Sequence, residues 1–248
     1  MPVALPLRER AALLLDIDGT LIDLAPTPDA VVVEAGLLDT LRKLRRHLGD
    51  ALAVVTGRPV EQADALLGGA PFAVAGEHGG AIRHRPDGPI ERPPLPEVPA
   101  HWLPRAEEAV AAYKGALLER KRRGLVLHFR QAPESGSALH AAAQAMVAER
   151  ETEFQLLETS RAWEIRPRGM DKGVAVERLC ALAPFAGRLP IFIGDDVTDE
   201  DGIRMAHALG GTGFRVDRAF GSPADVRAWL ARSADRFDAG EDSWAPTG

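Results

Sequence analysis

Two aspartates follow the first apolar run of the chain, in the string Asp16-Ile17-Asp18-Gly19-Thr20. Burial of an aspartate is costly, so a buried strand that leads into two of them indicates a use for their carboxylates. Residues two apart in extended backbone face the same way, and two like charges so placed repel unless a cation lies between them or one is protonated. This arrangement suits cation binding or acid–base chemistry. A pair of capping aspartates ahead of a helix is the alternative that the string alone leaves open.

A second acidic stretch follows another apolar run near the end of the chain. Its carboxylates fall within seven residues: Asp195, Asp196, Asp199, Glu200 and Asp201. Oxygen donors of this kind suit Mg²⁺ rather than zinc or copper. Helix capping by Thr198 explains the last three acids through the helix dipole but leaves Asp195 and Asp196 without a purpose. Two acidic strand ends on one sheet are therefore harder to explain as caps than either one alone.

Two further features lie between the acidic stretches. Thr56-Gly57-Arg58 offers a hydroxyl and a flexible backbone amide suited to a phosphoryl oxygen, although Thr–Gly turns are also common without a ligand. Lys172 is one of only four lysines among 30 basic residues. It stands at a predicted helix start, where a cation opposes the helix dipole. A compact ammonium there is expected to meet negative charge, and a solvated surface lysine is the alternative.

The elements that must position these residues alternate between short apolar runs and stretches of helical periodicity. Helices are predicted between strands that cover residues 11–17, 51–56, 71–75, 189–194 and 213–216. This alternation predicts an α/β fold with a mostly parallel sheet, whose strands point their carboxyl ends at a ligand crevice. The tail from Asp238 is expected to fray.

The amino-acid composition changes in the segment between the two halves of this core. Residues 83–99 are crowded with proline and charge and predict little beyond a hairpin around Asp87-Gly88. The elements predicted after them are a helix over 104–123, a strand over 125–130, a helix over 138–149 and strands over 154–159 and 162–167. They predict a small α+β module, residues 83–167, inserted into a core formed by residues 1–82 and 168–248.

The composition excludes several classes of protein. Hydrophobic residues make up 46% and charged residues 27% of the chain, which is typical of a globular protein and not of a disordered or fibrous one. The net charge of −6 argues against a nucleic-acid partner, and the single cysteine, Cys180, excludes an internal disulfide. No apolar run approaches the roughly 20 residues of a membrane span, and the first ten residues lack a signal-peptide pattern. We therefore expect a cytoplasmic monomer without membrane partners.

In this chain order, the strand-end aspartates, the hydroxyl, the lysine and the acidic stretch resemble the haloacid dehalogenase superfamily of phosphohydrolases. Within it, several strings are similar to those of trehalose-6-phosphate phosphatases, and two discriminate best: GDDVTDE at 194–200 and WEIRPRGMDKG at 163–173. The others are DIDGTLIDLAPTPDAV at 16–31, TGRP at 56–59, GEHGG at 76–80 and LHFR at 127–130. The resemblance implies a Rossmann-like haloacid dehalogenase core in which residues 83–167 are the α/β cap domain that determines specificity.

The resemblance also implies the reaction, which is the hydrolysis of trehalose 6-phosphate to trehalose and phosphate. Asp16 would be the nucleophile that forms an aspartyl-phosphate. Asp18 would protonate the leaving sugar oxygen and then activate the hydrolytic water. Thr56 and Lys172 would bind the phosphoryl oxygens over which the transition state spreads its charge.

Mg²⁺ is the cofactor that the resemblance implies. Its ligands would be the carboxylates of Asp16 and Asp195, the backbone carbonyl of Asp18 and a phosphoryl oxygen, with waters completing an octahedron. Asp199 would stand behind these ligands and orient a metal-bound water or Lys172.

The core groups contact only phosphate, so recognition of the sugar must come from elsewhere. The further candidates for substrate binding lie in three places: Gly57 and Arg58 beside Thr56, Glu77 and His78 after the third strand, and His128, Arg130, Glu164 and Arg166 on the insert. Strand periodicity places His128 with Arg130 on one face, and Glu164 with Arg166 likewise. The alternative for these four is the solvated face of a half-exposed sheet.

Two other functions stay open. The same fold could serve a phosphatase of another sugar phosphate, such as sucrose phosphate or mannosyl-phosphoglycerate. A non-catalytic module that binds a sugar phosphate beside trehalose-phosphate synthase is the other, and a functional link to that synthase is a further expectation. An intact set of Asp16, Asp18, Lys172 and Asp195 favours an enzyme, because a sensor has little need of a nucleophile.

Overall fold

The computed structural model describes residues 5–25, 30–159 and 161–247. Its strands are β1 (Ala11–Leu15), β2 (Leu52–Val55), β3 (Ala73–Gly76), β4 (Ala81–Arg83), β5 (Ile90–Glu91), β6 (Leu117–Lys121), β7 (Gly124–His128), β8 (Phe154–Thr159), β9 (Ala162–Pro167), β10 (Leu189–Gly194) and β11 (Thr212–Arg215). Its helices are α1 (Leu37–His47), α2 (Val60–Leu67), α3 (Trp102–Ala111), α4 (Gly136–Ala148), α5 (Lys172–Cys180), α6 (Asp199–Ala208), α7 (Val216–Ala219) and α8 (Pro223–Asp238). Residues 26–29, inside the string at 16–31, lie outside the described residues.

Seven strands form the larger sheet, in the order β11-β10-β1-β2-β3-β4-β5. The first five of these run parallel, and β4 and β5 extend the sheet in antiparallel. Every residue of β1 is buried, as expected of a parallel strand covered on both faces. The predicted α/β fold is confirmed. Because Leu15 pairs with Ile193, the ends of β1 and β10 lie side by side, and the two acidic stretches that follow them meet at one edge.

Helices α1 and α8 pack against each other in the same unit as this sheet. Leu37, Leu41 and Leu44 of α1 are buried, a spacing that forms one apolar stripe. Ser222 caps the start of α8, where its hydroxyl oxygen accepts the N–H of Asp225 at 3.3 Å. None of the helices that the structure describes is both long and apolar enough to cross a membrane.

The tail after α8 is packed, contrary to the expectation that it frays. Trp244 stacks on Trp229 with 5.2 Å between the ring centroids, and its indole N–H donates to the carbonyl oxygen of Pro6 at 2.9 Å. The buried indole and its hydrogen bond offset part of the conformational entropy that ordering this segment costs. The small and charged residues around Trp244 conceal this anchor in the sequence.

The chain divides into two compact units, Met1–Pro93 with Asp171–Gly248 and Pro94–Met170. The smaller unit has an antiparallel sheet in the order β6-β7-β9-β8, with a core that includes Trp102, Leu127, Leu139, Phe154 and Ile165. It begins at residue 94 rather than 83, because β5 pairs with β4 and stays with the larger sheet. The hairpin predicted around Asp87-Gly88 is the turn between these two strands.

The helix predicted over 104–123 is wrong in its second half. α3 ends at Ala111, and residues 117–121 form β6, which pairs with β7 at the edge of the smaller sheet. Gly115 lies between the two elements with a φ of +99°, which ends helical geometry. The alanine, glutamate and lysine of this stretch favour a helix, but the pairing with β7 overrides that preference.

Candidate active site

Lys172 holds two buried carboxylates at the carboxyl end of the parallel strands. Its Nζ lies 2.7 Å from Oδ1 of Asp16 and 2.7 Å from Oδ1 of Asp199. Burial alone would lower the pKa of the ammonium, but the charges of the two carboxylates outweigh it and raise that pKa. Lys172 is 2% exposed, which excludes the alternative of a solvated surface lysine.

The start of α5 explains how Lys172 reaches this position. Asp171 caps the helix by accepting the N–H of Val174 at 2.9 Å, so the chain enters α5 at Lys172. α5 packs closely against α6, whose first residue is Asp199. The two helix starts therefore bring the ammonium and the carboxylate together.

Asp199 holds two groups in place, which are Lys172 and the acidic loop at residues 195–198. Its Oδ2 accepts the backbone N–H of Asp195 at 3.1 Å and that of Asp196 at 2.9 Å, while Oδ1 accepts from Lys172. The side chain is completely buried. This position allows Asp199 to orient Lys172, which is one of the two roles predicted for it.

Asp16, Asp195 and Asp199 form the acidic cluster of the site, in which one carboxylate oxygen of each residue lies within 4.8 Å of the others. Burial and the charges of Asp199 and Asp196 raise the pKa of Asp195 to about 6. Burial also raises the pKa of Asp16, against the opposing charge of Lys172. Repelling oxygen donors at this spacing fit a hard divalent cation, which would relieve the repulsion. Because both strings join one cluster, they are not merely two separate helix caps.

Gly19 allows the first acidic loop to approach the second. Its φ is +75°, and a Cβ atom there would lie 2.1 Å from Oδ2 of Asp195. The neighbouring Thr20 places its hydroxyl 3.5 Å from Oδ1 of the same aspartate. A larger residue at position 19 would therefore strain the backbone and displace the Asp195 carboxylate.

Asp18 pairs with Arg58, which follows the adjacent strand β2. Nε of Arg58 donates to Oδ2 of Asp18 at 2.7 Å, and Nη2 donates to Oδ1 at 2.6 Å. Such a bidentate contact sets the orientation of a carboxylate as well as its position. Arg58 was predicted to bind substrate, and the structure places its guanidinium on a neighbouring site residue.

Thr56 and His78 meet at the end of β2. The hydroxyl oxygen of Thr56 accepts the N–H of Arg58 at 3.2 Å, and its carbonyl accepts the N–H of His78 at 3.0 Å. The imidazole of His78 packs on Gly57, where a Cβ atom would lie 2.7 Å from Nε2. Three of the predicted residues are thus gathered beside the acidic loops.

Glu77 lies next to this group but is engaged elsewhere. Its carboxylate accepts from Arg92 at 3.1 Å. Glu77 and His78 both have a positive φ, of 54° and 53°, which is uncommon outside glycine and is a mark of local strain near functional sites.

Two contacts between polar side chains lie on the smaller sheet. Lys121 reaches Glu164 with 2.8 Å between Nζ and Oε1, and His128 reaches Glu119 with 2.9 Å between Nε2 and Oε2. Glu164 is 2% exposed, so it does not belong to a solvated face. Lys121 and Glu119 were missed because their stretch was predicted as helix. Their alternation with residue 120 just before the turn at 122–123 is the signal that could have found them.

The two arginines predicted for the insert differ in position. β7 ends at His128, and Arg130 is exposed in the following turn, so the expectation that these two share a strand face is wrong. Arg166 lies within β9 opposite Gln155 and is 1% exposed. The turn after β7 begins earlier than the apolar pattern of LVLHFR indicates, because pairing with β9 ends at His128 and Ala162.

A family model described as trehalose-phosphatase matches residues 14–225, a range that includes every site residue above. The chain belongs to the trehalose-phosphatase family. It is 41% identical over 207 residues to a probable trehalose-phosphate phosphatase of Sinorhizobium fredii, covering 83% of this chain and 77% of that protein. It is also 36% identical over 233 residues to a trehalose-6-phosphate phosphatase of Escherichia coli, covering 90% and 86%.

A solved structure shares the fold. The C-terminal domain of a trehalose-6-phosphate phosphatase from Candida albicans has a TM-score of 0.74 at 18% identity, covering 92% of this chain and 93% of that one. The family consists of phosphoric monoester hydrolases, so the predicted family and enzyme class are confirmed. This family implies a divalent metal, and the acidic cluster supplies oxygen donors for one.

Proposed function

We propose that the chain hydrolyses trehalose 6-phosphate to trehalose and phosphate, as a step of trehalose biosynthesis. The observation that carries this proposal is the buried arrangement of Asp16, Lys172 and Asp199 with Asp195 beside it, in a member of the trehalose-phosphatase family. A buried lysine between two carboxylates at a strand end is costly unless the site uses it.

Asp16 is the proposed nucleophile. Its carboxylate oxygen attacks phosphorus, the bond between phosphorus and the sugar oxygen breaks, and an aspartyl-phosphate results. Lys172, 2.7 Å from Oδ1, favours the charged form of the carboxylate in a buried setting. The covalent route replaces one very slow displacement with two faster ones.

Asp18 is the proposed proton carrier in both steps. In the first step it gives a proton to the departing sugar oxygen. In the second it takes a proton from the water whose oxygen attacks phosphorus, and the bond between Asp16 and phosphorus breaks to release phosphate. Asp18 follows the nucleophile by two residues, and Arg58 contacts both oxygens of its carboxylate.

Lys172, Thr56 and the backbone amide of Gly57 are proposed to bind the phosphoryl oxygens. The hydroxyl oxygen of Thr56 already accepts from the N–H of Arg58, so its own proton is available to a phosphoryl oxygen. Donors that are fixed before the substrate arrives stabilise the transition state without reorganisation.

Mg²⁺ is the proposed cofactor, held by Asp16, Asp195 and the backbone carbonyl of Asp18. When bound, it would neutralise charge on the phosphoryl group as a Lewis acid. Asp199 holds the backbone of Asp195 in place through two amide contacts on the acidic loop, and it keeps Lys172 directed at Asp16.

The smaller unit is proposed to be the cap that recognises the sugar. Glu164 is buried beside the partly exposed Lys121, and His128 and Glu119 form an exposed pair, so the sheet offers both donors and acceptors for hydroxyl groups. Arg130, Arg166, Glu77 and His78 stay candidates for the same role. Glu164 is the strongest of them, because a buried carboxylate on a sheet face has few other uses.

A substrate panel tests the proposal. Phosphate release from trehalose 6-phosphate should exceed release from sucrose phosphate, mannosyl-phosphoglycerate and glucose 6-phosphate by orders of magnitude in kcat/KM. If another ester is preferred, the proposed substrate is wrong, but the proposed mechanism still applies to that ester. No turnover of any ester, with tight binding of one, would support the non-catalytic module beside a trehalose-phosphate synthase.

We further propose that the protein is a cytoplasmic monomer and that a trehalose-phosphate synthase is linked to it functionally. Light scattering after size-exclusion chromatography measures whether the protein is a monomer. Co-purification of the two proteins from cells tests whether the link is also physical.

A further inference from the structure

Arg58 directs its guanidinium at Asp18, whereas a phosphate ligand would direct it at the acidic cluster. Both oxygens of the Asp18 carboxylate accept from it, at 2.7 Å and 2.6 Å. We infer that Arg58 is a positioning residue that holds Asp18 in the orientation needed for proton transfer. This inference rests on the proposed function, since it assigns Asp18 the proton transfers of that reaction.

The backbone of Arg58 is fixed on both sides, so its side chain extends from an anchored base. Its N–H donates to the hydroxyl of Thr56 at 3.2 Å, and its carbonyl accepts the N–H of Glu77 at 2.9 Å. The Arg58 side chain is only 10% exposed. A guanidinium held in this way has little freedom to lose when it binds a carboxylate.

The loop that contains Asp18 restrains its backbone but not its carboxylate. Its side chain is 31% exposed, and it lies beyond the end of β1 in a turn closed by N–H bonds from residues 20–22 to the carbonyl of Ile17. Those bonds fix the backbone and leave the carboxylate free to rotate. The bidentate contact with Arg58, which lies 40 residues away in the chain, supplies the missing constraint.

The consequence depends on the leaving group. A sugar alkoxide must be protonated as it departs, whereas 4-nitrophenolate departs without a proton. Misplacement of Asp18 should therefore slow formation of the aspartyl-phosphate from trehalose 6-phosphate and leave its formation from 4-nitrophenyl phosphate nearly unchanged. Hydrolysis of the aspartyl-phosphate needs Asp18 as a base with either substrate, so it should slow for both.

The test is rapid-quench kinetics on Arg58→Met, which keeps an unbranched apolar stem and removes the guanidinium, and on Arg58→Lys. We expect Arg58→Met to lower kcat for trehalose 6-phosphate about 10²-fold with KM changed less than threefold. With 4-nitrophenyl phosphate it should release a burst of one nitrophenolate per enzyme before slow turnover. Arg58→Lys should recover part of the lost rate. Burst amplitude counts folded sites, so a variant that does not fold is recognised directly.

Two outcomes would overturn the inference. A slower burst with 4-nitrophenyl phosphate, together with weaker inhibition by inorganic phosphate, would make Arg58 a phosphate ligand. In the double variant Asp18→Asn/Arg58→Met, the loss of kcat should not exceed the loss in Asp18→Asn, because a positioning residue has no effect once its target is removed. A loss equal to the product of the two single losses would show that the residues act independently. If the wild type hydrolyses 4-nitrophenyl phosphate but not trehalose 6-phosphate, the proposed substrate is wrong, and the role of Arg58 can still be tested with the aryl phosphate.

Discussion

The acidic cluster of the larger unit and the charged face of the smaller sheet hold their side chains in different ways. Asp16, Lys172 and Asp199 are almost completely buried, and the ammonium of Lys172 lies 2.7 Å from each of the two carboxylates. On the smaller sheet, the pair between His128 and Glu119 leaves 39% and 51% of the side chains exposed. Groups that perform a bond-breaking step need fixed positions in a dry environment, whereas groups that recognise hydroxyls tolerate partial solvation.

The free energy lost when an ion pair is broken is also larger in the buried cluster than on the smaller sheet. A buried ion pair is costly to break, because the remaining charge is left without a partner, while an exposed pair contributes about 0–1 kcal/mol. Changes in the cluster should therefore affect every substrate. Changes on the smaller sheet should affect only substrates that carry the sugar.

Asp16→Asn should have the largest effect. Without a carboxylate nucleophile, the rate of phosphate release should fall at least about 10⁴-fold for trehalose 6-phosphate and for 4-nitrophenyl phosphate alike. The matched control is Asp39→Asn, because Asp39 is an exposed aspartate of α1 that pairs with Arg42 at 3.0 Å. A residual rate above 1% in Asp16→Asn with an unchanged circular dichroism spectrum would exclude the covalent route.

Metal removal should silence the enzyme without unfolding it. EDTA should reduce turnover to background, and Mg²⁺ should restore it. Because a cation relieves repulsion among Asp16, Asp195 and Asp199, Mg²⁺ should also raise Tm in the wild type and raise it less in Asp195→Asn. An equal Tm increase in both proteins would place the cation elsewhere.

Glu164→Gln should distinguish the two regions directly. This change keeps the size and hydrogen bonding of the side chain but removes the charge that pairs with Lys121 at 2.8 Å. We expect kcat/KM for trehalose 6-phosphate to fall about 10²-fold and that for 4-nitrophenyl phosphate to change less than threefold. Glu107→Gln, on an exposed position of α3, is the control. Equal losses on both substrates would remove Glu164 from the sugar site.

The smallest effect concerns the response of the smaller unit to acid. Contacts from His101, Arg105 and Trp102 lower the pKa of Glu149 to about 2, the direction opposite to that at Asp195. A lowered pKa in the folded state means that the contribution of Glu149 to stability is complete above pH 4.5 and disappears as pH falls towards 2. In acid titrations followed by tryptophan fluorescence, Glu149→Gln should therefore be less stable than wild type at pH 6 and equal to it near pH 2. A constant difference across this range would contradict the assignment.

Much of the site was predictable because its residues break local rules. Aspartates directly after apolar strands are costly, and a lysine at a helix start opposes the dipole, so both stand out in a single sequence. The family strings then related these positions to one another. The fold class followed from the alternation of apolar runs and helical periodicity, which reflects how strands and helices cover each other.

The errors share a different origin. Residues 117–121 favour a helix by composition and become a strand because β7 offers a partner. Arg130 leaves the strand because pairing with β9 ends at His128. Trp244 anchors a tail of otherwise polar appearance by stacking on Trp229. Each outcome depends on a partner outside the segment itself, and the local preference of the segment does not include that partner.

The order of residue types along the chain was enough to indicate the candidate reactive groups, since an uncompensated charge in a buried segment is visible locally. Which partner each charge finds was settled only by folding. Asp18 meets Arg58 across 40 residues, and Lys172 meets Asp199 across 27, because parallel strands and packed helix starts bring these ends to one edge. Coulomb attraction acts on distance in space, and the tertiary structure alone sets that distance.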